Sequence, residues 1–148
     1  MDILDSSPHA SLKDAVRRDP SNRNLVLHAV NIDGTILSLA SASLRGDHEV
    51  VLQAVAQNAW AFQHAPMHLR EDPVFSKLIA KVNPIALKFG AVSIKGNKQL
   101  MLELVAVNGL VMRDASEYLK NDYQFALQCV SIDGAAFEFL PESLRNMR

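Results

Sequence analysis

The chain has 148 residues, 49% of them hydrophobic and 21% charged, with a formal net charge of −1. That is enough apolar material for a packed core and too much for wholesale disorder. It offers no basic face of the kind that releases counterions from nucleic acid, and its longest Lys/Arg run is the pair Arg17-Arg18.

Met1 to Ser7 is acidic and polar, without the basic start and apolar stretch of a secretion signal. No apolar run approaches the ~18 residues that span a bilayer. A lone cysteine, Cys129, excludes an internal disulfide and suits a reducing compartment. These features predict a soluble, cytoplasmic protein of bacterial or host cytosol, with no membrane partner. Residues 1–21 are expected to form an amino-terminal capping helix.

From Asn22 onward the chain repeats. Asn22, Asp47, Asp72, Asn97 and Asp122 are spaced by 25 (47 − 22 = 72 − 47 = 97 − 72 = 122 − 97). Asp33, Asn58, Asn83, Asn108 and Asp133 keep the same spacing, as do the basic Arg45, Arg70, Lys95, Lys120 and Arg145. Asp and Asn together are only 19 of 148 residues, so two all-Asx columns beside an all-basic one mark a tandem array. Five units follow: 22–46, 47–71, 72–96, 97–121 and 122–146.

Each unit opens with an Asx residue whose side chain is expected to accept from the orphan N–H groups of a helical first turn. Asn22, Asp47, Asp72, Asn97 and Asp122 are therefore structural caps. Runs such as "HEVVLQAVAQ" then give about three helical turns. Asp33-Gly34, Asn108-Gly109 and Asp133-Gly134 end the helix with residues that tolerate left-handed backbone. The equivalent Asn83-Pro84 ends it through proline. An apolar segment with Leu37, Phe62, Leu87, Met112 and Phe137 in one column leads to a short second arm. That arm starts at Ser41, Pro66, Ala91, Ser116 or Pro141 and ends in the basic column. No alternating strand pattern competes.

A unit of this size cannot bury its apolar face alone, so neighbours must stack. The predicted seam is Leu27, Leu52, Leu102 and Leu127, with Val30, Val55, Ala80, Val105, Val130 and the Leu37 column. The expected fold is all-α, a short solenoid or compact helical array.

The pattern D-x-x-(F/V)-x-L-x-x-V-x-x-(N/D)-G, quoted best by Asp122 to Gly134, and A-S-x-x-L-(R/K)-(N/D), quoted by Ala115 to Asn121, resemble a tandem helical repeat. That family is known only as a domain of unknown function. The resemblance runs from about Asn22 to Asn146. It implies an origin among intracellular bacterial pathogens, including their injected effectors, or among large viruses and protists. It implies no catalytic residues and no cofactor. Repeat 3 departs from the pattern, with Lys77 in the leucine column and Pro73 and Pro84 nearby.

The signatures of hydrolases, phosphate loops, zinc proteases and dinucleotide folds are absent. Ser131 and Asp133 are explained by helix termination rather than as a catalytic pair. Cys129 shares its column with Ala29, Ala54, Ile79 and Leu104, which reads as core. His64 and His68 stand four apart, the spacing of a metal pair, with His48 or Glu71 as further ligands. Pro66 between them breaks that helix, so they read as two surface histidines, and a metal-dependent hydrolase is the alternative function.

An array supplies its own control, because a residue apolar where its equivalents are polar is a candidate anchor. Val74 shares a column with Asn24, Glu49, Gln99 and Gln124; Leu78 shares one with His28, Gln53, Glu103 and Gln128. Met67 stands against Glu117 and Glu142, and Trp60 against Thr35 and Ala135. Two arrangements fit. Either Trp60, Met67, Val74 and Leu78 form a protein-binding surface, or helix 3 is turned about its axis, burying 74/75/78/79/82 and exposing Ser76 and Lys77. The function expected is a non-catalytic interaction module, an inhibitor or adaptor. By the resemblance its partner is an effector enzyme, such as a ubiquitin-modifying one, or a host protein. Self-association into a homodimer through the same patch is the remaining alternative.

Overall fold

The computed structural model describes residues 8–147. Among them there is no strand, and the fold is all-α, built of tandem helical repeats. α1 (Pro8–Arg18) precedes the array, with Arg17 and Arg18 in its last turn, where cations suit the negative helix end. The rest of the expected capping segment, residues 1–7, lies outside the described residues.

Three elements recur. The long helices are α2 (Arg23–Ile32), α4 (His48–Gln57), α6 (Pro73–Val82), α8 (Lys98–Val107) and α10 (Tyr123–Ile132). Each leads into a six-residue 3-10 helix: Gly34–Leu39, Ala59–His64, Pro84–Phe89, Gly109–Asp114 or Gly134–Phe139. A single α-turn closes each unit: α3 (Ala42–Arg45), α5 (Met67–Arg70), α7 (Val92–Lys95), α9 (Glu117–Lys120) and α11 (Glu142–Arg145). All three series step by 25 residues, so equivalent positions hold equivalent local geometry.

The Asx columns answer backbone needs. The side chains of Asn22, Asp47, Asn97 and Asp122 each accept from the N–H three residues on, at 3.0–3.1 Å. Asp72 accepts from both Val74 and Phe75, with Pro73 in the first turn where its missing N–H costs nothing. The second column serves two helices at once. Asp33, Asn58, Asn108 and Asp133 end the long helix, and their side chains accept from the second residue of the 3-10 helix at 2.9–3.0 Å. Their φ values are extended, and no described residue has positive φ. The left-handed backbone expected at Asx-Gly is thus absent. An extended residue joins the two helices, and Pro84 starts a 3-10 helix rather than merely stopping an α-helix.

The buried stripe of the long helices lies three, four, seven and eight residues after the cap, with Leu25 of α2 and Val130 of α10 only half-buried. In α4 these are Val50, Val51, Ala54 and Val55, and in α8 Leu100, Met101, Leu104 and Val105. The leucine column expected to form the seam sits at its border: Leu27, Leu52 and Leu102 are half-buried and Leu127 is exposed. Five residues beyond the cap, the side chain has turned past the edge of the stripe, and only the long leucine reaches back over it.

The chain divides into two compact units, Met1–Pro66 and Met67–Arg148. Their composition does not change at the division, which falls inside the second repeat. In the first, α2 packs on α4 and the two 3-10 helices pack on each other, with Val16 of α1, Val30, Leu37 and Phe62 fully buried. In the second, α6, α8 and α10 pack in succession. Phe137, expected in the core with its column, is 47% exposed. It lines an apolar groove with Leu127, Val130, Leu140 and Leu144.

Candidate interaction surface

Helix α6 keeps the register of its equivalents. Phe75, Ser76, Ile79 and Ala80 are buried, so the turned arrangement is not adopted. The Asp72 cap fixes where the helix starts, and Phe75 and Ile79 take the places held elsewhere by Leu100 and Leu104. One cost is Ser76, a fully buried hydroxyl with no hydrogen-bond partner among the described residues. Another consequence is a stripe of apolar side chains facing solvent one turn apart: Val74 at 69% exposure, Leu78 at 40% and Val82 at 42%. Beside it Lys77 pairs with Glu103 of α8 at 2.5 Å, which keeps that cation on the neighbouring helix.

The other two candidates are less distinctive. Trp60, in the 3-10 helix of the first unit, is half exposed, but so are Ile85 and Leu110 at its position. Met67, opening α5 in the second unit, is half exposed, and Val92 at its position is more so. Of these four candidates, Val74 and Leu78 alone combine exposure with polar residues at the equivalent places of every other repeat.

The residues of the chemical alternatives are held as follows. Ser131 donates to the Leu127 carbonyl at 2.8 Å, and Asp133 accepts from Gly109 and Ala135. Cys129 is buried, and that burial pushes its thiol up to about 11. His64 ends a 3-10 helix while His68 lies in the exposed α5 turn. Among the described residues no group of three His, Cys, Asp or Glu side chains is placed to hold a metal.

A feature not anticipated is a polar pocket in the first unit lined by Ala42, Arg45, Gln63, His64, Ala65 and Pro66. The Arg45 Nε is buried there without a hydrogen-bond acceptor among the described residues. Burial and the neighbouring Arg45 charge hold the His64 imidazolium below its ordinary pKa, so the ring favours its neutral form. The signal was present in the columns: His64 shares its position with Leu39, Phe89 and Phe139, and with one other polar residue, Asp114.

A family model described as a domain of unknown function (DUF4116) matches this chain three times, over residues 22–70, 47–94 and 97–145. No curated protein matches it. No solved structure does either.

Proposed function

The chain belongs to the family described as a domain of unknown function (DUF4116), and from that premise we propose that it is a non-catalytic protein-binding module. The observation that carries the reading is the outward apolar stripe of α6, Val74, Leu78 and Val82, where the equivalent helices carry Asn, Glu, Gln or His at the first two positions. A solvated helix face gains nothing for its own fold by being apolar there, whereas a partner that covers it removes that surface from water. Repeat arrays suit this role because each unit can vary its outer residues without disturbing the caps and core. Trp60 is a further anchor candidate in the first unit, of a residue type enriched at binding hot spots.

The partner is a protein, and the classes implied by the resemblance, an effector enzyme or a host protein, are the first to try, with inhibition or recruitment as the outcome. A cytoplasmic location goes with this reading. No helix among the described residues is long and apolar enough to cross a membrane.

The test compares Leu78→Asp with Gln128→Asp, its equivalent in the last repeat, in a tagged chain captured from the producing cell. Recovered proteins are quantified by mass spectrometry. A genuine partner is lost about tenfold or more in Leu78→Asp and kept in Gln128→Asp, as expected of a hot-spot change. Thermal unfolding of both variants checks that the fold survives. Equal recovery with both would sink the proposal, and a change in light-scattering mass on Leu78→Asp would redirect it to self-association.

A further inference from the structure

Three junctions between successive repeats place a cation of the basic column near a residue 19 positions later: Arg45 with His64, Arg70 with Phe89, and Lys95 with Asp114 (64 − 45 = 89 − 70 = 114 − 95). In two of them the cation has protein acceptors. Arg70 donates to the Phe89 carbonyl at 3.4 Å, and Lys95 donates to the Lys88 carbonyl at 2.5 Å. The Lys95 junction also carries its own carboxylate, Asp114. That side chain is largely buried, and its Oδ2 has no hydrogen-bond partner among the described residues; burial pushes its carboxyl pKa up, against the opposing charges of Arg113, 3.9 Å away, and of Lys95, Lys120 and Lys88.

The Arg45 junction lacks all of this. Its Nε has no acceptor among the described residues, and none of the residues lining the pocket is acidic. The backbone differs as well. Ala91 and Ser116 donate their N–H groups to the carbonyls of Arg70 and Lys95, at 2.9 and 3.0 Å. The equivalent donor for Arg45 would be residue 66, which is proline and has no N–H. A buried guanidinium donor without a partner is costly, and a bidentate oxyanion is its natural complement.

We propose that the pocket between Arg45 and His64 binds a carboxylate, seated where the fourth repeat supplies Asp114 of its own. Arg45 provides the charge and a forked donor, and the Gln63 amide and the His64 ring N–H are the further donors that line the space. The third repeat carries Phe89 at this position, whereas here His64 gives the pocket a polar wall. This site stands independently of the protein-binding reading of α6.

The full chain, labelled with nitrogen-15, is titrated at constant ionic strength with acetate, with glutamate blocked at both ends, and with inorganic phosphate. The Arg45 Nε–H and His64 ring signals report occupancy. Saturable shifts with acetate and with blocked glutamate are expected, the latter identifying an acidic side chain as an acceptable source. Shifts with acetate alone keep the site but restrict it to small acids. Binding should weaken about tenfold or more in Arg45→Gln. His64→Asp installs the internal carboxylate that Asp114 represents, so it should abolish acetate binding while leaving a dispersed, folded spectrum, which decides the matter even if Arg45→Gln does not fold. Shifts that never saturate, phosphate binding tighter than acetate, or acetate binding that survives His64→Asp would each overturn the assignment.

Discussion

The backbone N–H of Gly109 donates to Oδ2 of Asp133 at 2.7 Å, 24 residues further along the chain. Gly34 does the same to Gln57 Oε1 at 2.6 Å. Both glycines open a 3-10 helix, and both acceptors lie at the end of the next long helix, so at these two junctions one repeat is registered on the next through a donor that needs close approach. A Cβ on Gly34 would stand 2.2 Å from the Ala54 carbonyl oxygen, a backbone atom that cannot swing aside. On Gly109 it would meet the Asp133 carboxylate at 2.5 Å, which can move but would surrender the hydrogen bond. At Gly134 it would meet nothing within 4 Å. Gly34→Ala should therefore destabilise by roughly 1–3 kcal/mol, Gly109→Ala by less, and Gly134→Ala by no more than about 0.5 kcal/mol. Urea midpoints of the three variants test the ranking, and an equal loss at Gly134 would refute the stacking explanation.

Asp47 combines a cap with an ion pair. Its carboxylate accepts from Val50 N–H at 3.1 Å and lies 3.2 Å from Arg23 Nε, and Arg23 holds its pKa below the ordinary 3.8. A carboxylate depressed in the folded state adds stability that is complete above the unfolded value and is lost as pH falls through the folded one. Asp47→Ala should cost about 1 kcal/mol near neutral pH, mostly from the cap, because an exposed ion pair adds little. Asp47→Asn keeps the acceptor, as Asn22 and Asn97 do in their own repeats, so it should lose little at pH 7. Its stability should also fall less than the wild type's as pH drops below about 4. Chemical denaturation at several pH values separates the two contributions.

What could be read without coordinates follows from where each need is met. Caps at Asn22 or Asp122 answer orphan N–H groups two or three residues away, so the column and its role appear together. A period of 25 states which residues are equivalent but not which way they point. The leucines at 27, 52, 102 and 127 looked like the seam because they are large and periodic. Yet each stands about 100° around the helix from the buried position before it. Repeat 3 posed the same difficulty more sharply. Hydropathy alone would bury Val74 and expose Ser76, and packing around Phe75 and Ile79 reverses both. The Arg45 pocket depends on a proline that lacks a donor and a histidine among aromatics, exceptions that acquire meaning only when the junctions can be compared in space.

Ser76 gives that reversal a measurable cost. Its hydroxyl is buried without a partner, at a position filled by Val26, Val51, Met101 and Ala126 in the other repeats. Burying an unpaired polar group costs about 1–3 kcal/mol, and alanine also favours the helix. Ser76→Ala should thus leave stability unchanged or raise it by about 1 kcal/mol, unlike most core truncations. A lower urea midpoint for Ser76→Ala would mean that the hydroxyl has an acceptor after all.

Cys129 tests whether the core of α10 is closed, although the groove beside it is open. The thiol is buried, and desolvation pushes it up to about 11, so little thiolate exists at pH 8. An aromatic disulfide reagent should leave it almost unreacted in the native chain and modify it completely in urea. The native rate then measures opening of the last repeat. Phe137→Ala removes a side chain that lines the groove next to it but is already half exposed, so it should accelerate that rate only modestly. Phe125→Ala empties a fully buried site in the first turn of α10 and should accelerate it far more, in keeping with a loss of roughly 3–5 kcal/mol. Equal acceleration by the two would show that the end of the array opens as readily as its groove, and that the burial of Cys129 is not what protects it.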